Sequence, residues 1–332
     1  MATMNDVAKE AGVSASTVSR VLNKTPQVTI SAETRAKVLK AAKRLNYRPN
    51  RIAQSLRLKK YNSIGFLLCE RSLDQMYYYN LLKAVEQEAS RTGLSLIFAI
   101  NDEKVPPMLN DTNIDGLLVA GRVTRDRISI IEKLGVPYIV LGIVADDQHK
   151  GNIVASDPEA DIYIAVEYLL KLGHTKIAYI NSHPDPQLHD LIIKGYKKAY
   201  TQADIPVDMQ YLVTGVKDPY PFLKKYLIEQ KVTALVIQQL FVKEFYQFIA
   251  EHNISIPNDL SVIIIGEDLL DPQARSFYHY VSSRTKDVGT MAVEQLRRIW
   301  DKEISYVNMK ISPLLHEGRS VLQLTETLSR EA

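Results

Sequence analysis

The side chain whose chemistry is easiest to name is Arg20. Its guanidinium can make two parallel hydrogen bonds to a guanine edge or reach a phosphate, and it stands beside the hydroxyls of Ser16, Thr17 and Ser19 in the segment SASTVSRVL. The charge around it supports a polyanionic partner. Residues 1–60 carry 13 Lys and Arg against Asp6, Glu10 and Glu33, a balance of +10, while the remainder carries 28 basic and 35 acidic residues. A basic module on a mildly acidic body reads as a nucleic-acid-binding unit joined to a body with another task. The alternative, a solvated lysine-rich helical face, is not excluded by composition.

Other candidate chemistry is sparse. His183, Asp185, His189 and Asp190 lie close together in SHPDPQLHD, but no recognised metal-ligand spacing fits them, and a polar loop bordering a cleft is the simpler reading. The chain has no G-x-S-x-G elbow, Walker loop or GxGxxG, so no enzyme and no cofactor is expected. Cys69 is the single cysteine. An intrachain disulfide and a cysteine-rich zinc site are therefore impossible, which fits a reducing, cytoplasmic setting. No apolar run approaches the length of a membrane span, and no secretory signal is visible. The 18 tyrosines are scattered, mostly at helical spacing, as core aromatics are.

Three short helices must position Arg20. Thr3 and Asp6 form a capping-box pair for the first, with Val7, Ala8 and Ala11 inward and Gly12 as its stop. Ser14 caps the second, which carries Val18, Val21 and Leu22 at three- and four-residue spacing and closes at Asn23 and Pro26. Ser31 caps the third, over about 32–45, with Val38, Leu39, Ala42 and Leu45 inward. Two short helices around a glycine turn, then a supporting helix, make a helix-turn-helix unit over 1–46. A basic segment over 47–60 reads as a hinge. From residue 63 apolar strands alternate with amphipathic helices (IGFLLC, LSLIFAI, DGLLVAG, PYIVLGI), and the pattern restarts with DIYIAVEYLLKLGH, KIAYI, TALVIQQL and SVIIIG. This predicts two successive parallel-sheet α/β lobes. A last helix over 288–300 and strand-like pieces near 309–311 and 321–324 are expected to be shared between them.

The stretch MNDVAKEAGVSASTVSRVLN resembles the helix-turn-helix signature of LacI/GalR-type bacterial repressors. ETRAKVLKAAKRLNYRPN, RIAQSLR, SIGFLL, DGLLVAG, GHTKIAYI, KGY, IPNDLSVIIIG and TMAVEQL continue the likeness over nearly the whole chain. The fold this implies is an α-helical helix-turn-helix DNA-binding head plus a two-lobed α/β periplasmic-binding-protein-like core with parallel sheets. The implied division is a head over 1–46, a hinge helix or linker over 47–60, and an effector-binding and dimerisation domain over 61–332. Within the last, the first lobe takes about 61–157 and 285–312, and the second about 158–284 and 313–325.

By the same resemblance, Ala15 and Ser16 are the specificity positions of a groove-reading helix, flanked by Ser14, Thr17, Ser19 and Arg20. Ala15 can do no more than touch a thymine methyl, which shifts weight to Ser16 and Arg20. Thr3 and Asn23 match phosphate-holding positions. Asn50, Ala53 and Leu56 match a hinge helix that forms on operator DNA and wedges its leucine into the minor groove.

The implied effector site lies between the lobes, at the carboxyl ends of the strands. Tyr77 and Tyr78 match the family's aromatic pair, and Asp157 an acid near the interlobe crossover. His183, Gln239 and Asp268 are candidates for hydrogen-bonding hydroxyls. Ile192 stands where the family usually has a sugar-clamping arginine, and Gln239-Leu240 where it has an Asn-Asp pair, so the standard clamp is not carried over. The expected function is a transcriptional repressor that binds double-stranded operator DNA as a homodimer, because two heads about 34–36 Å apart read a palindrome that one head holds too weakly. A small-molecule effector, a sugar with galactose or a galactoside favoured, would control it. The alternatives are a global catabolite regulator governed by a phosphoprotein and, from another class, a solute-binding protein.

Overall fold

The computed structural model describes residues 2–22, 30–47, 60–70, 76–101, 104–106, 109, 114–121, 123–142, 151–182, 186–266 and 270–324. The chain divides into two compact units, Met1–Asn62 and Ser63–Ala332.

The first unit is three helices, α1 (Met4–Ala11), α2 (Ala15–Leu22) and α3 (Ala32–Arg44). The expected caps set their ends. Thr3 Oγ1 accepts from the Asp6 amide at 3.3 Å while Asp6 Oδ2 accepts from the Thr3 amide at 2.8 Å, and Gly12 takes the left-handed conformation that ends α1. Ser14 and Ser31 accept the Thr17 and Thr34 amides, each at 3.2 Å. The core is small: Val7, Ala8, Val18, Val21, Val38, Ala41 and Ala42. A 2.5 Å ion pair from Arg44 to Glu10 joins the end of α3 to α1. The inward face of α3 differs from the sequence expectation, since Ala41 is buried and Leu39 is 50% exposed. The helix turns the Val38, Ala41, Ala42 and Leu45 stripe inward, and Leu39 falls outside that stripe.

The second unit begins with β1 (Ser63–Cys69), α4 (Met76–Arg91), β2 (Ser95–Ile100), β3 (Gly116–Gly121), α5 (Arg125–Glu132), β4 (Tyr138–Leu141) and β5 (Ile153–Ser156). It continues with α6 (Pro158–Lys171), β6 (Ile177–Ile180), α7 (Pro186–Gln202), β7 (Leu212–Val213), α8 (Tyr220–Leu223), β8 (Ala234–Gln238), α9 (Val242–Glu251), β9 (Ser261–Ile265), α10 (Pro272–Phe277) and β10 (His279–Ser282). The chain closes with α11 (Thr285–Trp300), β11 (Asn308–Ile311) and β12 (Leu314–His316). Two six-stranded sheets result, ordered β11-β5-β4-β3-β1-β2 and β12-β10-β9-β8-β6-β7. Every pairing is parallel except β10 with β12. Helices cover both faces of each sheet, as buried parallel strands require.

The chain passes between the sheets three times, through Asp157, through Ser283 and Arg284, and through Ser312 and Pro313. Crossovers of one or two residues leave from the carboxyl ends of β5, β10 and β11. The carboxyl ends of the two sheets are thereby held near each other.

The expected strand over 321–324 is absent. That segment is an extended tail fastened by separate contacts: Val262 donates to the Ser320 carbonyl at 2.8 Å, Leu322 to Ser261 Oγ at 2.9 Å and Leu324 to the Leu172 carbonyl at 2.9 Å. Two buried histidines complete the fastening. His174 Nε2 donates to the Leu322 carbonyl at 2.9 Å, and Ser320 Oγ lies 3.2 Å from His279 Nδ1.

Two outcomes follow from this packing. Burial holds both imidazoles below the ordinary histidine range. They are neutral in the folded chain, so the stability they support is intact above about pH 6.5 and is lost as pH falls below it. His279→Gln should flatten the decline of the urea midpoint between pH 6.5 and 5; an unchanged slope would show that other groups govern it. Gly195 brings α7 against α6, and a Cβ there would stand 2.2 Å from the Glu159 carbonyl oxygen. Gly195→Ala should cost about 1–3 kcal/mol of unfolding free energy in urea titrations, the usual penalty of overpacking.

Candidate nucleic-acid interface and ligand cleft

At the start of α2 the Ser14 hydroxyl lies 2.8 Å from Ser16 Oγ and 2.9 Å from Thr17 Oγ1. Three hydroxyls thus gather at a helix N-terminus. Ser16 and Arg20 are exposed, one turn apart on the same face, while Ala15 and Thr17 are half-buried. This face presents a hydroxyl and a guanidinium together and suits a groove lined with acceptors and phosphates. Ser19 is a departure, at 8% exposure. It is buried, unlike Ser16 and Arg20. Thr3 spends its hydroxyl on the cap, bonding Asp6 Oδ2 at 2.8 Å. Asn23, Asn50, Ala53 and Leu56 lie outside the described residues.

The second candidate site is the wall formed by the carboxyl ends of the second sheet. After β6, Asn181 Nδ2 donates to the Tyr179 hydroxyl at 2.7 Å, and both the amide and the hydroxyl of Ser182 donate to Gln238 Oε1, at 3.1 and 2.6 Å. Gln239 lies flat against Gly266 after β9: a Cβ at 266, where φ is +99°, would sit 2.4 Å from the Gln239 carboxamide carbon. Only glycine accommodates both that backbone and that neighbour. Among the described residues this wall presents the neutral amides and hydroxyl of Ser182, Gln238 and Gln239, while Asn181 is buried. His183 and Asp268 lie outside the described residues.

Ile192 does not belong to this wall. It is 2% exposed and packs with Ile162, Val166, Tyr179 and Tyr196. An aliphatic side chain at this place joins the core of the lobe, and a ligand has no access to it.

On the first lobe, Tyr77 and Tyr78 are half-buried at the start of α4, ring edge to face at 5.3 Å, with the Tyr78 hydroxyl donating to Glu70 at 3.4 Å. Glu70 follows the carboxyl end of β1. Arg127 escaped the sequence reading: it is 8% exposed, and its guanidinium donates to the Asn101 carbonyl at 2.6 Å, beyond the end of β2. Burial pushes the Cys69 thiol up while Arg127 opposes that shift. A single arginine in an amphipathic helix carries no sequence sign that it will be buried.

Asp157 occupies the first crossover. Its carboxylate caps α6 by accepting the Ala160 amide at 3.3 Å, and Lys310 of β11 approaches it at 3.8 Å. One helix turn on, Asp161 is buried and accepts a 2.6 Å bond from Ser283 of the second crossover. Sequence reasoning missed Asp161, Asn181, Ser182, Gln238 and Ser283. Their one shared signal is position, at the carboxyl ends of predicted strands or the start of the helix that follows.

A third surface lies on the edge of the first sheet. Tyr79, Leu82, Lys83, Glu86, Leu96 and Phe98 line an open groove between α4 and β2, with Tyr79 49% and Ile100 37% exposed. The sign was present in LSLIFAI, which is apolar on both faces although β2 is an edge strand.

Residues 3–50 match the family model described as bacterial regulatory proteins, lacI family. Residues 61–221 match that of periplasmic binding proteins and sugar binding domain of LacI family, and residues 166–321 that of the periplasmic binding protein-like domain. The chain is 31% identical over 317 residues to catabolite control protein A of Priestia megaterium, covering 91% of this chain and 93% of that protein. It is 29% identical over 342 residues to the HTH-type transcriptional repressor PurR of Histophilus somni, covering 98% and 100%. The crystal structure of the lac repressor dimer bound to operator and the anti-inducer ONPF shares the fold, with a TM-score of 0.74 at 24% identity over 97% of this chain and 99% of that one. No helix among the described residues is long and apolar enough to cross a membrane. With its helix-turn-helix head and two parallel-sheet lobes, the chain belongs to the lacI family of bacterial regulatory proteins.

Proposed function

We propose that this protein is a cytoplasmic, ligand-responsive repressor that binds a palindromic operator as a homodimer, reads it through Ser16 and Arg20, and is controlled by a sugar bound between its lobes. The observation that carries the reading is the cluster of half-buried Ser182, Gln238 and Gln239 at the carboxyl ends of the second sheet. Amides and hydroxyls offer both donors and acceptors, which is what sugar hydroxyls need. A match to a model whose description includes a sugar binding domain supports this class, and galactose or a galactoside is the first ligand to try. The likeness to catabolite control protein A favours a second reading, a global catabolite regulator, and a phosphoprotein is the partner we assign to it.

One experiment separates them. A duplex is selected from a random library with the full-length protein, and its affinity is followed by fluorescence anisotropy at fixed salt with galactose, galactosides, their phosphates and other sugars. Release or tightening by one sugar establishes the first reading. Specific binding that no sugar changes sinks it and leaves a phosphoprotein or a non-sugar effector as the control.

Arg20→Ala should weaken binding to that duplex by about 1–3 kcal/mol and relax base preference at one position, with the melting temperature unchanged because the side chain is exposed. Parent-like affinity would show that Arg20 is not a contact. The groove at α4 and β2 is the face we assign to the dimer, since apolar side chains on an edge strand demand a cover. Tyr79→Asp should turn a dimer into a monomer in sedimentation equilibrium and lower operator affinity at least tenfold; a dimer of unchanged affinity would move the interface elsewhere.

A further inference from the structure

We infer that Asp161 is a proton-operated latch on the hinge between the lobes, closed while its buried carboxyl is protonated and released when ionisation leaves a charge on its buried, unpartnered Oδ1. The geometry is that of three short crossovers tied to one another. Ser283 of the second crossover donates to Asp161 Oδ2 at 2.6 Å, one turn inside the helix that leaves the first. Arg284 reaches the Ser312 carbonyl of the third crossover at 3.5 Å, and Lys310, just before the third, lies 3.8 Å from Asp157 of the first. Arg284 holds φ at +53°, a left-handed conformation that is unfavourable for arginine and persists only while its surroundings hold it. The hinge is thus a strained junction fastened by a few polar contacts.

Asp161 is the fastening that loss of a proton can undo. It is 6% exposed, and its Oδ1 has no hydrogen-bond partner. Among the described residues, the groups around it supply no cation. Asp157 on its own helix is an acid, Tyr179 from β6 offers a neutral phenol, and Ser283 beyond β10 a neutral hydroxyl. The nearby lysines are engaged with other acids: Lys194 and Lys198 of α7 with Glu159, Lys310 of β11 with Asp157. Arg284 pairs with Asp287 at 2.7 Å. Burial first, and the charge of Asp157 in addition, push the carboxyl up to about 7 against the bond from Ser283. A group raised in this way supports the closed hinge fully below the ordinary carboxylate value and loses the contribution progressively as pH rises from there through about 7. The ionised form leaves Oδ1 buried with a charge and no partner, which water relieves only if the crossovers part.

The test is hydrogen exchange of segments 156–162, 282–286 and 311–314 in the full-length protein without ligand, at pH 6 and pH 8, after correction for the intrinsic pH dependence of exchange. The parent should lose about tenfold protection in these segments at pH 8, the change expected for one proton released across that range. Asp161→Asn, an amide that keeps the bond from Ser283 and cannot ionise, should keep its protection at both pH values. Ser283→Ala should show lowered protection already at pH 6. The proposal is overturned if the parent shows no pH dependence, or if Asp161→Asn shows the parent's dependence. If the asparagine chain does not fold, Ser283→Ala decides alone, and unaltered protection at pH 6 overturns the latch.

Discussion

Three crossovers of one or two residues constrain everything else in the larger unit. A chain that passes from β5 to α6 through Asp157 alone, and from β10 to α11 through two residues, cannot separate the carboxyl ends of its sheets by much. Those ends are also where parallel sheets leave backbone amides and loops free to receive a ligand. The same short links that create the cleft limit its opening to small rotations about a few bonds. Function in such a body depends on which lobe arrangement the hinge favours, and weak polar ties suffice to bias it, because a coupling of about 1–3 kcal/mol already changes affinity many-fold.

The head obeys a different physics. Seven small or β-branched buried residues make a core too modest to tolerate a lost cap. Its helices are therefore defined at their ends, by Thr3 with Asp6, by Gly12, by Ser14 and by Ser31. The cap of α2 also brings the hydroxyls of Ser14, Ser16 and Thr17 together on the end that faces outward. Ser14 is tied into the cap, whereas Ser16 and Arg20 are exposed and carry little of the packing, so in the proposed reading they are where specificity can change at least cost.

Caps and alternation made much of the fold legible in advance. The helix ends of the head follow from Thr3, Gly12, Ser14 and Ser31, and the buried runs IGFLLC, DGLLVAG and SVIIIG are the central strands β1, β3 and β9. Tertiary context decided the rest. Leu39 looked inward because it is apolar, yet the stripe that packs is set by Val38, Ala41 and Ala42. The four-residue strands IVAS and HYVS are too short to show a period, and both end at crossovers. The tail over 321–324 resembles a strand in composition, but its bonds go to Ser261, Leu172 and His174 separately. At the candidate site, amide and hydroxyl residues carry no distinctive spacing, and only the finished sheets bring Asn181, Ser182, Gln238 and Gln239 to one edge.

The replacement of a charged clamp by Ile192 and the burial of Asp161 belong to one electrostatic pattern. A cation facing this wall would stabilise the ionised carboxyl nearby and keep it charged at neutral pH. With an aliphatic side chain sealed into the core instead, no described cation pairs with Asp161, and burial sets its proton affinity unopposed except by the Ser283 hydroxyl. A lobe interface organised by neutral groups and one ionisable acid is sensitive to solvent entry, since water that enters on opening gains most at the group buried with an unmade hydrogen bond. If the acid at the hinge and the wall at the cleft respond to the same motion, as proposed above, a ligand that closes the lobes would also make protonation of Asp161 more favourable.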